Sequence, residues 1–249
     1  MEKNIIEKYP FVREMTDAER IRTVKEIFST VTEKYDFLNH LLSLRRDMAW
    51  RRFTVRKMHF FLTDRFLDVA TGTADLAIDA AHHHPQIQVF GLDFVQAMVD
   101  VGTMKIEKKG LSERIQLLRG DALALPFPDN SFDVVAIAFG IRNIPNKLRS
   151  LEEMKRVVMP NGQVMVLEMT LPRRRLFQGV YHLYLNRILP KVAGAFSGNP
   201  AAYKYLGDSI MDFPAPKVFA QKMEEAGLVQ IENYSLDFGI TYLHIGFKT

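Results

Sequence analysis

Cysteine is absent from the 249-residue chain, which excludes disulfides, thiolate metal sites and cysteine nucleophiles. No apolar run approaches the roughly 20 residues that a membrane-spanning helix requires, and the charged opening MEKNIIEKYPFVRE does not read as a signal peptide. Internal repeats and low-complexity linkers are missing as well. Charge of one sign is scarce: 33 Lys and Arg against 29 Asp and Glu leave a net charge of +4, an excess that suits solubility better than nucleic-acid binding. The expectation is a soluble, cytoplasmic protein with one large α/β domain and a helical appendage, for which 47% hydrophobic residues supply an ample core.

What is present falls into two textures. From TDAERIRTVKEIFSTVTEKYDFLNHLLSL to MAWRRFTVRKM the apolar residues, among them Ile21, Val24, Ile27, Phe28 and Val31, keep a helical spacing, with Thr16 or Asp17 as the N-cap. From Phe66 onward short β-rich runs (RFLDVA, IQVFGLD, IQLLRGD, FDVVAIAF, QVMVLEM) alternate with helical stretches at about 74–84, 95–109 and 147–158. That alternation predicts a parallel sheet covered on both faces. The last run, GLVQIENYSLDFGITYLHIGFKT, holds two strands too close for a helical crossover and predicts an antiparallel hairpin at the sheet edge.

Glycine is sparse where a nucleotide site would need it. FLDVATGTADLAIDAA is strand, tight turn and helix, the arrangement that binds nucleotides at the carboxyl edge of a doubly wound sheet. It has one glycine, Gly72, instead of the three of G-x-G-x-x-G, which disfavours a pyrophosphate and hence a dinucleotide. One close backbone approach at Gly72 suits a ligand without phosphates, although such a turn also occurs for structural reasons alone. Asp93 closes the second strand about 20 residues later, where an acid accepts from a ribose diol or else caps the helix starting near Val95. Asp121 and Ala122 close the third, where a carboxylate and a backbone N–H suit adenine. Together they point to S-adenosylmethionine.

LDVATGTADL, GLDFVQAMVDVG, GDALALPFPDNSFDVV, AFGIRNIPNKLRSLEEMKRVVMPNGQVMVLEMTLP and KYDFLNHLLSLRRDMAWRR together resemble the class I S-adenosylmethionine-dependent C-methyltransferases of menaquinone and ubiquinone biosynthesis, the UbiE/MenG family. The likeness runs from about Phe28 to Lys248. It implies an α/β fold with a seven-stranded, mostly parallel sheet and an antiparallel C-terminal strand. An N-terminal helical extension (1–62) would cover the active site, and the Rossmann-like domain (63–249) would carry a lid insertion at about 173–212. By position it implies that Gly72 and Thr73 meet the methionine part of the cofactor, Asp93 the ribose, and Asp121 with Ala122 the adenine. Two departures stand out: Thr71, Gly72, Thr73 and Ala74 replace the family's Gly-Gly-Thr-Gly, and Ala138 replaces a frequent serine before FGIRN.

The reaction implied is methylation of a ring carbon of a reduced prenylated quinone, demethylmenaquinol or a ubiquinone precursor, with no metal. The ring carbon becomes nucleophilic when the neighbouring hydroxyl loses its proton, so a base or a cation beside that oxygen is required. Arg142 and Asn143, after the fourth strand, are placed to hold the oxygens, unless Arg142 is a surface ion-pair residue. The base is left open between His244, which as a strand histidine also suits a core role, Tyr203, and a water held by Arg142. Glu168 ends the fifth strand and either touches substrate or caps a loop. His82, His83 and His84 read as a solvated helix end, not a metal site. Arginines beside apolar residues in RRRLFQGVYHLYLNRILPKVAGAFSG and LRRDMAWRR suit contact with the inner face of a membrane, or an ordinary lid. A homodimer is compatible with the sequence. Rival readings are a small-molecule N- or O-methyltransferase and, without a base-specific motif, a nucleic-acid methyltransferase.

Overall fold

The computed structural model describes residues 9–31, 40, 43–172 and 200–249. The first helix, α1 (Asp17–Val31), starts where its capping chemistry dictates. The Thr16 hydroxyl accepts from Glu19 N–H at 3.3 Å while the Glu19 carboxylate accepts from Thr16 N–H at 2.8 Å, a reciprocal box that satisfies two of the helix's orphan donors. A second helix, α2 (Arg46–Arg56), buries Trp50 and Val55 in the core and leads into the sheet through residues 57–64. That connection is stapled from the far side of the chain. Asp133 accepts from the N–H groups of Thr63 (2.9 Å) and Asp64 (2.8 Å), and Gln163 bonds His59 N–H and the Lys57 carbonyl.

The sheet comprises β1 (Arg65–Val69), β2 (Gln88–Asp93), β3 (Ile115–Arg119), β4 (Phe132–Ala138), β5 (Val158–Met169), β6 (Val229–Leu236) and β7 (Thr241–Phe247). Their order is β3-β2-β1-β4-β5-β7-β6. The first five run parallel, joined by α3 (Asp75–His83), α4 (Gln96–Lys108) and α5 (Lys147–Val157). The fold is therefore the α/β arrangement expected, and its helices agree with the sequence spacing to within a residue or two.

Two cores follow from the two-residue period of a strand. In β4, Val134 and Ala136 pack on one face with α2 and α3, while Val135 and Ile137 pack on the other with α5. Being apolar on both faces is what makes β4 a central strand, each fully buried aliphatic side chain stabilising by about 1.5–3 kcal/mol. The terminal hairpin forms as expected. Its β7 lies between β5 and β6 and runs antiparallel to both, so β6 is the edge. Two further helices, α6 (Pro200–Asp212) and α7 (Pro216–Glu225), precede it.

Candidate active site

The sheet order reverses between β1 and β4, so the loops after these strands diverge and leave a crevice at the carboxyl edge. A pocket of about 900 Å³, its open mouth included, fills that crevice. Its walls include Gly72, Asp93, Asp121, Ala122 and Asn143, and α1 closes one side with Ile21, Val24 and Phe28.

Three residues of the β1–α3 turn sit in the left-handed region, Ala70 (φ 52°), Gly72 (φ 56°) and Ala74 (φ 67°), although only one is a glycine. Ala74 accepts this strain with its methyl fully buried in the core. Gly72 differs because it faces the cavity, and a Cβ built there would meet nothing within 4 Å. The glycine thus keeps clear the space a ligand would take. Beneath the turn, Thr71 donates to the fully buried Asp68 at 2.7 Å; burial outweighs that bond and pushes the Asp68 carboxyl up to about 7.

Asp93 is bound from both sides. One carboxylate oxygen accepts from Gly72 N–H (2.8 Å) and the other from Val95 N–H (2.9 Å). Capping and ligand binding are not alternatives here, since a carboxylate offers about four acceptor sites, more than the backbone donors on it use, and the group lines the cavity. Burial raises its pKa against the pull of those N–H donors. Asp121 is exposed at the third loop and accepts from Leu123 N–H at 2.9 Å, which fixes the turn holding Ala122.

On the other side of the switch, the turn Ile141–Asn143 follows β4. Asn143 lines the cavity; Arg142 does not. The Arg142 side chain is 5% exposed and pairs with Glu168 at the end of β5, Nη1 to Oε1 at 2.5 Å, while its backbone N–H donates to Oε2 at 3.2 Å. It is a buried pair, not the surface pair that was the alternative. Glu168 does not line the pocket; the capping reading holds, as it accepts from the backbone N–H groups of Arg142 and Met169 and anchors the turn that presents Asn143. Tyr205 of α6, which sequence reasoning passed over, reaches Asn143 Oδ1 with its hydroxyl at 3.3 Å. The signal was there: Ala202, Tyr205 and Ser209 share one helical face and are all buried.

His244 stands apart from this constellation. It faces α7, where its Nε2 donates to the Pro216 carbonyl at 3.1 Å and its ring meets Phe219 at 5.1 Å. Burial drives its pKa down to about 4. The strand's alternation explains the placement: Leu243 and Ile245 take one face, so His244 takes the other, inside the second core. Thr73 is buried within the turn and does not line the cavity. The Tyr203 side chain and residues 173–199 lie outside the described residues. His82 and His83 are exposed at the end of α3. Among the described residues, His40, Asp47 and Asp75 approach one another as metal ligands would, yet Arg51 already bonds both carboxylates, at 2.6 and 2.9 Å.

Comparison with known proteins gives a consistent picture. The ubiE/COQ5 methyltransferase family matches residues 15–248. The ubiquinone/menaquinone biosynthesis C-methyltransferase UbiE of Geotalea uraniireducens is 40% identical, covering 92% of this chain and 98% of its own. The demethylmenaquinone methyltransferase of Deinococcus radiodurans is 41% identical over 91% of this chain and 93% of its own. Among solved structures, an S-adenosylmethionine-dependent methyltransferase from Aquifex aeolicus shares the fold with a TM-score of 0.58 at 18% identity, over 80% of this chain and 89% of that one.

Proposed function

The chain belongs to the ubiE/COQ5 methyltransferase family, and from that premise we propose that it transfers a methyl group from S-adenosylmethionine to a ring carbon of a reduced, prenylated quinone of the demethylmenaquinol type. The observation that carries this reading is a single cavity lined by both the nucleoside-type acids, Asp93 and Asp121, and the Asn143 carboxamide.

The residues present fit the methyl donor. Gly72 leaves the room a Cβ would remove, Asp93 keeps acceptor capacity toward the cavity for a ribose hydroxyl, and Asp121 with the Ala122 N–H suits an adenine edge. When bound, S-adenosylmethionine supplies an electrophilic methyl on sulfur. The chain's own task is to align the quinol ring and raise its electron density. Asn143 meets a ring oxygen within the cavity. Arg142 acts from one residue behind as a positioning residue, its buried pair with Glu168 holding the turn that aims Asn143 into the cavity. Ile21, Val24 and Phe28 exclude water from one side. The proton leaves through a water in the cavity, because His244 is out of reach.

Peripheral contact with an anionic membrane belongs to the same reading. It is supported by Arg45, Arg52 and Arg56, all exposed on and beside α2; among the described residues no helix is long and apolar enough to span a bilayer.

The test is mass spectrometry of the quinone fraction after incubating the protein with S-adenosylmethionine and demethylmenaquinol. The expected product carries one added methyl on ring carbon. Methylation only on oxygen, or of amines alone, overturns the reading in favour of an O- or N-methyltransferase.

A further inference from the structure

We infer that Tyr205 is a positioning residue for the methyl transfer: its phenol O–H fixes the Asn143 carboxamide so that the amide NH2 faces the cavity. The inference rests on the quinol reading above and deepens it. Tyr205 is 4% exposed and is held in a cluster with Val12, Ile27 and Ala202, so its ring has little freedom. The hydrogen bond recorded for its hydroxyl runs to Asn143 Oδ1. Burial lifts the phenol to about 12, which keeps the proton on oxygen throughout the working range.

That proton decides which way the amide points. With the carboxamide reversed, its NH2 would donate to the phenol oxygen and the buried phenol hydrogen would be left without its acceptor, a cost of about 1–3 kcal/mol. The observed orientation therefore prevails, and the cavity receives a donor instead of an acceptor. A donor is what a developing phenolate needs. It also bears on regiochemistry, because a phenolate carries nucleophilic density on both oxygen and carbon. In transfer to carbon, the ring's electron pair forms the C–CH3 bond, the pair of the broken S–CH3 bond stays on sulfur, and the ring then sheds a proton to water. An oxygen engaged by Asn143 is less available to take the methyl itself.

Tyr205→Phe keeps the packing and removes only the hydroxyl. It should lower kcat about five- to tenfold, the equivalent of one neutral hydrogen bond, leave KM for S-adenosylmethionine unchanged, and raise the share of O-methylated product. In an Asn143→Ala background the same substitution should cost nothing further. Wild-type turnover in Tyr205→Phe, or an equal loss in both backgrounds, would overturn the inference. A second measurement does not depend on substrate: the Asn143 side-chain amide resonances of 15N-labelled protein should shift and exchange faster in Tyr205→Phe, and unchanged resonances also overturn it. Failure of the wild type to methylate demethylmenaquinol would instead sink the quinol reading, and the amide spectra would then decide the role of Tyr205.

Discussion

Between β1 and β3 the polar groups of the cavity wall are two short carboxylates held by nearby backbone; after β4 the polar group is Asn143, held in place by side chains from distant parts of the chain. Asp93 binds Gly72, 21 residues away, and Asp121 binds its own neighbour Leu123. Across the switch, Arg142 needs Glu168, 26 residues on, and Asn143 needs Tyr205, 62 residues on. A surface that recognises a constant ligand has been made from the main chain. One that must handle a reactive ring has been made from buried, mutually dependent groups. Variants in the first wall should thus change cofactor affinity and spare turnover at saturation, and variants in the second should do the reverse.

The sharpest break is Gly72→Val. Its side chain would enter the space the glycine leaves open and would strain a left-handed residue; binding of S-adenosylmethionine, followed by calorimetry, should vanish while the melting transition persists. Next comes Arg142→Ala. Stranding Glu168 in the core should cost about 3–5 kcal/mol of stability, and turnover should fall about 10²-fold as Asn143 loses its placement. The double replacement Arg142→Met with Glu168→Met should recover stability but not turnover. Denaturant melts paired with steady-state rates separate the two losses, and recovery of both would show that Arg142 does not position Asn143.

A third prediction sets two buried groups against each other, one beneath the β1 turn and one in β7. Asp68 has a folded pKa near 7, above its unfolded value, so the folded state holds the extra proton and this group costs stability as pH rises from about 4 to 7. His244 has a folded pKa near 4, below its unfolded value, so it costs stability as pH falls through the same window. Each effect is on the order of 3 kcal/mol, and in the wild type they oppose. Asp68→Asn should make stability climb with pH between 4 and 7, and His244→Gln should make it decline, as read from urea melts across that range. His244→Gln should also leave turnover within about twofold, since the ring lies outside the cavity. The smallest effect is that of Asp93→Ala, a loss of about 1.5–3 kcal/mol in cofactor affinity with kcat unchanged.

The same contrast explains what the sequence disclosed. Strand, turn and acid follow one another within a few residues, so Gly72, Asp93, Asp121 and Ala122 were legible from β-runs and spacing, and all four line the cavity. Arg142 and Asn143 were placed on the right turn, but which of the two faces inward depends on Glu168, whose strand pairs with β4 only in three dimensions. Of the two readings of His244 the core one holds, because a strand covered on both faces leaves its histidine no solvent side to point to. Ala70 and Ala74 hid the turn's true geometry, since left-handed backbone at alanine leaves no mark in composition.

The staple on residues 57–64 carries a consequence for how the protein is made. Those residues leave the ribosome early, but the partners that fix them do not: Asp133 and Gln163 follow about 70 and 100 residues later, and Asp237, which binds Arg46 and the Trp50 indole, comes near the end. Long-range closure of this kind is slow. The stretch translated early is therefore among the last to settle, and the Trp50 ring, which meets Phe139 of the cavity wall, waits on the completion of the C-terminal hairpin.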